Sequence, residues 1–119
     1  MAYSSFEDLE VWKRAARLAV DVIRALRGCR EYSLKDQMAR SSISIASNIA
    51  EGAERGSDAE FIRFLNIAKA SAAELRTQTY IAQAAEAIPQ LAAQELVAEQ
   101  KEISRMLQGL IAHLKIKKE

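Results

Sequence analysis

Three groups of residues have the types and spacing from which chemistry could be made. Serines Ser41, Ser42 and Ser71 suggest nucleophiles, but a serine acts only with a general base in hydrogen-bond reach. The chain has no Ser-x-x-Lys pair, and its one histidine, His113, lies far along the sequence. Gly52, Arg55 and Gly56 suggest an anion-binding turn, yet no strand precedes them and no Gly-Lys-Ser/Thr follows, so they read as turn formers. Lys13, Arg14, Arg17, Arg24 and Arg27, followed by Arg30, form a basic ridge about 20 Å long if the segment is helical. Such a ridge, repeated in an assembly, binds phosphate backbones by summed charge and counterion release. Diluted by Glu10 and Asp21, it also reads as an ordinary solvated helix face.

Other chemistries are excluded by what is missing. A carboxylate di-iron bundle needs two Glu-x-x-His motifs, and there is none. One cysteine, Cys29, makes no internal disulfide, and one histidine makes no multi-histidine metal site. No catalytic, cofactor-binding or metal residue is assigned, and no cofactor is expected. The chain has 119 residues, 50% apolar and 28% charged, with 17 basic against 16 acidic side chains. That balance fits a single four-helix-bundle domain over residues 1–119 with a substantial core. It carries neither the strong basicity of a typical nucleic-acid binder nor an acidic tail. No signal peptide or membrane span is legible, so a cytoplasmic protein is expected.

The elements that must position these residues are all helical. Ser4 and Ser5 precede Glu7 and Asp8 in a capping-box pattern that opens a first helix. Leu9, Trp12, Ala16, Ala19, Ile23 and Leu26 follow helical spacing, with Val11, Ala15, Leu18 and Val22 widening the same face until Gly28 offers a left-handed stop. A second helix, from about Ser33 or Leu34, turns Leu34, Met38, Ser41, Ser42, Ile45, Ile49 and Gly52 inward, a stripe small enough to demand a close partner. Ser57 to Glu60 caps a third, whose inward residues run from Phe61 through Leu65, Ala72 and Thr79 to Ala82. Pro89 suits the first turn of a fourth, with Ala93, Leu96, Gln100, Ile103, Leu107, Leu110 and Leu114 as a near-heptad and Lys115, Lys117 and Lys118 at its negative dipole end. Short connections then predict an all-α fold, an antiparallel up-down-up-down four-helix bundle. A third helix about 45 Å long, with Ile62, Ile81, Ala84 and Ala85 on it and Met106 and Ile111 on the fourth lying outside the main stripes, favours a homo-oligomer.

If the turn after Gly52 closes an antiparallel pair, facing residues have numbers summing to about 113. Ser41 and Ser42 then oppose Ala72 and Ser71 in a small-residue seam whose hydroxyls can bond their own i−4 carbonyls. Arg40 is brought near Glu74, and Glu51 near Arg63, with Asn48 bonded nearby. These are expected as interhelical ion pairs that fix register.

The stretch Asn48-Ile49-Ala50-Glu51-Gly52, with Arg55, and the later Ala68-Lys69-Ala70-Ser71-Ala72-Ala73-Glu74 carry a resemblance. The chain resembles the four-helix-bundle proteins encoded in intervening sequences of bacterial 23S ribosomal RNA genes, from Phe6, Leu9 and Trp12 to the closing Met106–Leu110 segment. Ala70, where a glycine is common, and Cys29-Arg30-Glu31-Tyr32, in place of an aromatic-proline turn, are departures. The resemblance implies small bundles that assemble into rings, often pentamers, with no known reaction. The similar accessory protein of diversity-generating retroelements forms a basic pentameric barrel that binds a reverse transcriptase and nucleic acid. This chain is less basic. The expected function is therefore that of a non-enzymatic homo-oligomer, pentamer favoured, acting as a nucleic-acid or ribonucleoprotein accessory that contacts RNA or DNA phosphates. The alternative is a scaffold for a protein partner with no nucleic-acid role; neither involves a membrane.

Overall fold

The computed structural model describes residues 5–118, without the side chains of residues 117 and 118. Ser4 of the expected capping pattern and the basic side chains of Lys117 and Lys118 therefore lie outside the described residues. Four helices form an all-α bundle: α1 (Glu10–Ala25), α2 (Tyr32–Glu54), α3 (Asp58–Ala84) and α4 (Gln90–Lys118), with no strand among the described residues.

The chain starts less simply than its spacing predicts. The Ser5 N–H donates to Asp8 Oδ2 at 3.3 Å, but this box caps a single 3₁₀ turn, Phe6–Asp8. Leu9 is then extended, at φ −76° and ψ 124°, and α1 begins only at Glu10. Phe6 packs edge-on against Trp12, ring centroids 5.1 Å apart, which fastens that turn to α1. Gly28 and Gly56 adopt φ of 82° and 86° in the turns after α1 and α2, as left-handed stops require. The Ser57 hydroxyl accepts the Glu60 N–H at 3.2 Å and caps α3. At the far end of α3 a non-glycine residue, Glu86, holds φ 59°, while the Ala87 N–H donates to Ala82 O at 2.8 Å across it.

Helix lengths explain the envelope of 48 × 19 × 19 Å. α4 has 29 residues, about 44 Å, and α3 has 27, about 40 Å, whereas α1 has only 16, about 24 Å. Thus α3 is not left long beside short neighbours; α1 is the short element.

The core runs through all four helices. The inward residues expected for α2 and α3 are buried, Leu34 at the half-buried margin, and α4 buries its near-heptad with Leu110 at the margin. Leu18, Met38, Ile45, Leu65, Leu75, Ile103, Leu107 and Leu114 are fully enclosed, each contributing roughly 1.5–3 kcal/mol. Two expectations shift. On α1 the buried stripe is Val11, Ala15, Leu18, Ala19 and Val22, continued by Leu26, with Leu9 and Trp12 packed against the core, while Ile23 points outward. On the other helices Ile111 is buried, and Ile62 and Met106 pack against the core, so they are not spare apolar surface. Among the described residues no helix is long and apolar enough to cross a membrane.

Candidate functional site

The basic ridge is the first site to build. Glu10, Lys13, Arg14, Arg17 and Asp21 recur at helical spacing on α1 and line, with Glu99 of α4, a groove of about 590 Å³. Arg24 continues that line into a second groove beside Asp21, Glu95 and Glu99. Four cations, Lys13, Arg14, Arg17 and Arg24, thus share these grooves with four carboxylates, Glu10, Asp21, Glu95 and Glu99. Arg14 is committed: its Nε and Nη2 donate to Glu99 Oε2 and Oε1 at 2.8 and 2.7 Å, a bidentate tether between α1 and α4. That hydrogen bond, with the Glu99 charge, holds the guanidinium above its ordinary range. Lys13, Arg17, Arg24 and Arg27 stay exposed, and none makes an ion pair among the described residues. The ridge therefore borders grooves of mixed charge, with Arg14 tied to α4 and its other cations exposed.

The polar seam between α2 and α3 is also real, with different partners. Ser44 Oγ lies 2.9 Å from Ser71 Oγ, two residues beyond the Ser42–Ser71 pairing expected from the turn. Asn48 Nδ2 donates to Ser44 O and Oγ at 2.8 and 2.9 Å, so Asn48 holds the seam through Ser44. Ser42 Oγ donates to Ala39 O at 2.8 Å, an i−3 carbonyl. Ser41 and Ser42 are buried. Among the described residues none of these hydroxyls is hydrogen-bonded to a carboxylate or histidine.

The expected interhelical ion pairs do not form. Arg40 and Glu74 line one groove with Ser41, Ser44 and Gln78, but Arg40 Nε donates to Asp36 Oδ2 at 3.0 Å on its own helix. Glu51 accepts from Arg55 at 2.7 Å, and Arg63 donates to Glu60 at 3.0 Å. The reason is entropic: partners three or four residues apart are already held in place by the helix, whereas a pair across helices must order two long side chains. Arg55 still reaches Glu60 at 3.9 Å, joining the α2–α3 turn to α3. Hydrogen bonding from Arg63 lowers the Glu60 carboxyl and raises Arg63 in turn.

Phe64 sits beneath this cluster. The Arg55 and Arg63 guanidinium carbons lie 4.7 and 4.5 Å from its ring centroid, close enough for cation–π attraction. Gly52 makes the arrangement possible, because a Cβ there would stand 2.6 Å from Phe64 Cβ. The recognisable segment from Asn48 to Arg55 is thus a helix-docking device. Sequence reasoning missed Ser44, Phe64 and Glu99 as partners; only Ser44 left a local trace, four residues before Asn48.

A buried polar pair ties α3 to α4. Thr79 Oγ1 donates to Leu75 O at 2.8 Å and accepts from Gln100 Nε2 at 3.0 Å, while Gln100 Oε1 is buried without a partner. Cys29 is buried, with Sγ 3.9 Å from Glu31 O, and His113 is exposed. Among the described residues no group of three or more His, Cys, Asp or Glu side chains could hold a metal ion.

The profile of the 23S rRNA-intervening sequence protein family matches residues 7–109, nearly the whole chain. The chain belongs to that family. It is similar to the crystal structure of a protein of unknown function from the S23 ribosomal protein family of Bacteroides thetaiotaomicron, at 27% identity and a TM-score of 0.80, covering 85% of this chain and 97% of that one. No curated protein matches. In this chain the Gly52–Phe64 contact and the Ser44–Ser71 seam, both within the matched residues, hold α2 against α3.

Proposed function

We propose that the protein is a non-enzymatic, homo-oligomeric scaffold. Its bundle is antiparallel and up-down-up-down, it assembles into a ring, pentameric as the family resemblance implies, and its outer faces dock a protein partner in the cytoplasm. One observation carries the assembly: large apolar side chains stand exposed on all four helices, among them Val20, Ile23, Ile43, Ile81 and Leu91. In a body about 19 Å across, neighbouring exposed side chains such as Val20 and Ile23, three residues apart on α1, offer apolar surface that a partner subunit can cover. The antiparallel path is supported by Lys69 meeting Gln108 while Thr79 meets Gln100, so that ascending α3 descends α4. The non-enzymatic reading is supported by Ser42 bonded to backbone and Ser44 bonded to Ser71, neither of them hydrogen-bonded to a carboxylate or histidine among the described residues.

A second reading, a nucleic-acid or ribonucleoprotein accessory, is favoured by the exposed, unpaired Lys13, Arg17, Arg24 and Arg27. The four carboxylates in the same grooves weigh against it. Light scattering coupled to size exclusion, with and without a short RNA at low and moderate salt, separates the two. The scaffold reading expects a multimer that assembles without RNA and takes none up through Arg17 and Arg24. A shift with RNA that vanishes at moderate salt and in the Arg17→Glu, Arg24→Glu double variant would establish the second instead.

A further inference from the structure

We infer that the groove between α3 and α4 is a binding site for a nucleotide unit, its base stacked on Tyr80 and its phosphate held by Lys101 and Arg105. This goes beyond the scaffold reading and does not depend on it. The groove measures about 470 Å³ and is lined by Tyr80, Gln83, Gln94, Val97, Ala98, Lys101 and Arg105. That volume lies in the range of small-molecule sites, roughly 300–1,000 Å³.

Its position is set by the core beneath it. Thr79 is buried and bonded to Gln100, so the next residue on α3, Tyr80, must turn out of the core, and so must Lys101 beside Gln100. Tyr80 is 46% exposed, an aromatic face offered to solvent on an otherwise ordered helix. Val97 and Ala98 supply apolar wall, and the Gln83 and Gln94 amides each carry a donor and an acceptor suited to a base edge.

Charge names the ligand's other half. The α1–α4 grooves are lined by as many carboxylates as cations, whereas this lining holds Lys101 and Arg105 and no carboxylate, Glu102 reaching Arg105 from outside it. Lys101 makes no ion pair among the described residues. Arg105 donates Nε and Nη2 to Glu102 Oε1 at 3.1 and 2.6 Å, which fixes its fork and leaves other N–H groups free. An aromatic ring beside one unpaired cation, Lys101, and a second whose fork keeps free N–H groups is an arrangement that takes stacked bases with their phosphates, whether as a free nucleotide or within a single strand.

Calorimetry on the full chain tests this with AMP, with pyrophosphate as phosphate lacking a base, and with a single-stranded RNA of about ten nucleotides. AMP binding identifies a free-nucleotide site, and binding of the RNA alone identifies the strand as the source. In either case Tyr80→Ala is expected to weaken affinity roughly tenfold while Tyr80→Phe retains it, since a stacked base is worth that much. Lys101→Glu, at an exposed position, supplies a second test and is expected to weaken binding and flatten its salt dependence. Circular dichroism melts confirm that each variant folds. Failure of both AMP and RNA to bind the wild-type chain, or binding indifferent to Tyr80 and Lys101, would overturn the inference.

Discussion

Replacing Gly52 by alanine probes the approach of α2 to α3 most sharply. A Cβ at Gly52 would lie 2.6 Å from Phe64 Cβ, 3.2 Å from Phe61 Cδ1 and 3.4 Å from Phe61 O. Phe64 Cβ is bonded to its main chain and cannot swing aside, so relief requires the helices to part by about an ångström, the shortfall from ordinary carbon contact. Overpacking of this kind costs about 1–3 kcal/mol, and here it also displaces the ring on which Arg55 and Arg63 stack. Against this, alanine in a helix interior gains about 1 kcal/mol over glycine. The net expectation is destabilisation of about 2 kcal/mol at most. Gly109 gives an internal control, because it lies in α4 with nothing within 4 Å of an added Cβ. Gly109→Ala is expected to stabilise by about 1 kcal/mol. Urea unfolding of both variants at one protomer concentration, which holds any assembly term fixed, reads the difference in midpoint. If both substitutions raised the midpoint equally, the close approach at Gly52 would be refuted.

Three further outcomes follow from the same geometry. Glu86→Gly relieves the left-handed backbone at φ 59° and is expected to stabilise by about 0.5–1 kcal/mol in the same assay; a loss of stability would contradict the account. Gln100→Leu removes a buried oxygen that has no partner while Thr79 keeps its bond to Leu75 O, so stability is expected to hold or rise by about 1 kcal/mol; Thr79→Val strands the Gln100 amide and is expected to lose about 1–3 kcal/mol. Glu60 and Glu102 have carboxyls lowered first by hydrogen bonds from Arg63 and Arg105, so their contribution is complete at neutral pH and is lost as pH falls below about 4 through the folded-state values. Thermal melts from pH 7 to 3 are expected to show a shallower acid limb in Glu60→Gln, and an unchanged limb would show that the pairing carries no stability.

Much of the fold was legible because punctuation is local. Gly28, Ser57 and Pro89 bound the helices, and the small stripe of α2 announces the close approach that Gly52 makes. The phase of α1 was less legible: apolar residues cover more than half its circumference, and the choice between Ile23 and Val22 as inward belongs to its neighbours. The Arg14–Glu99 tether joins residues 85 apart, and no tight turn sets the α1–α4 register, so the sequence could not show that packing ties this one member of the ridge to α4. Turn geometry did place Ser44 and Ser71 within two residues of the expected register. It could not reveal that Arg40 prefers Asp36 to Glu74, since that choice rests on side-chain entropy.

The central claim is that the exposed apolar faces are interfaces between copies of this chain. The most direct measurement is the native mass of the purified protein over a dilution series. A discrete multimer of about five protomers, persisting on dilution and broken by Ile43→Glu at its exposed site, is the result expected. A monomer at every concentration would contradict it.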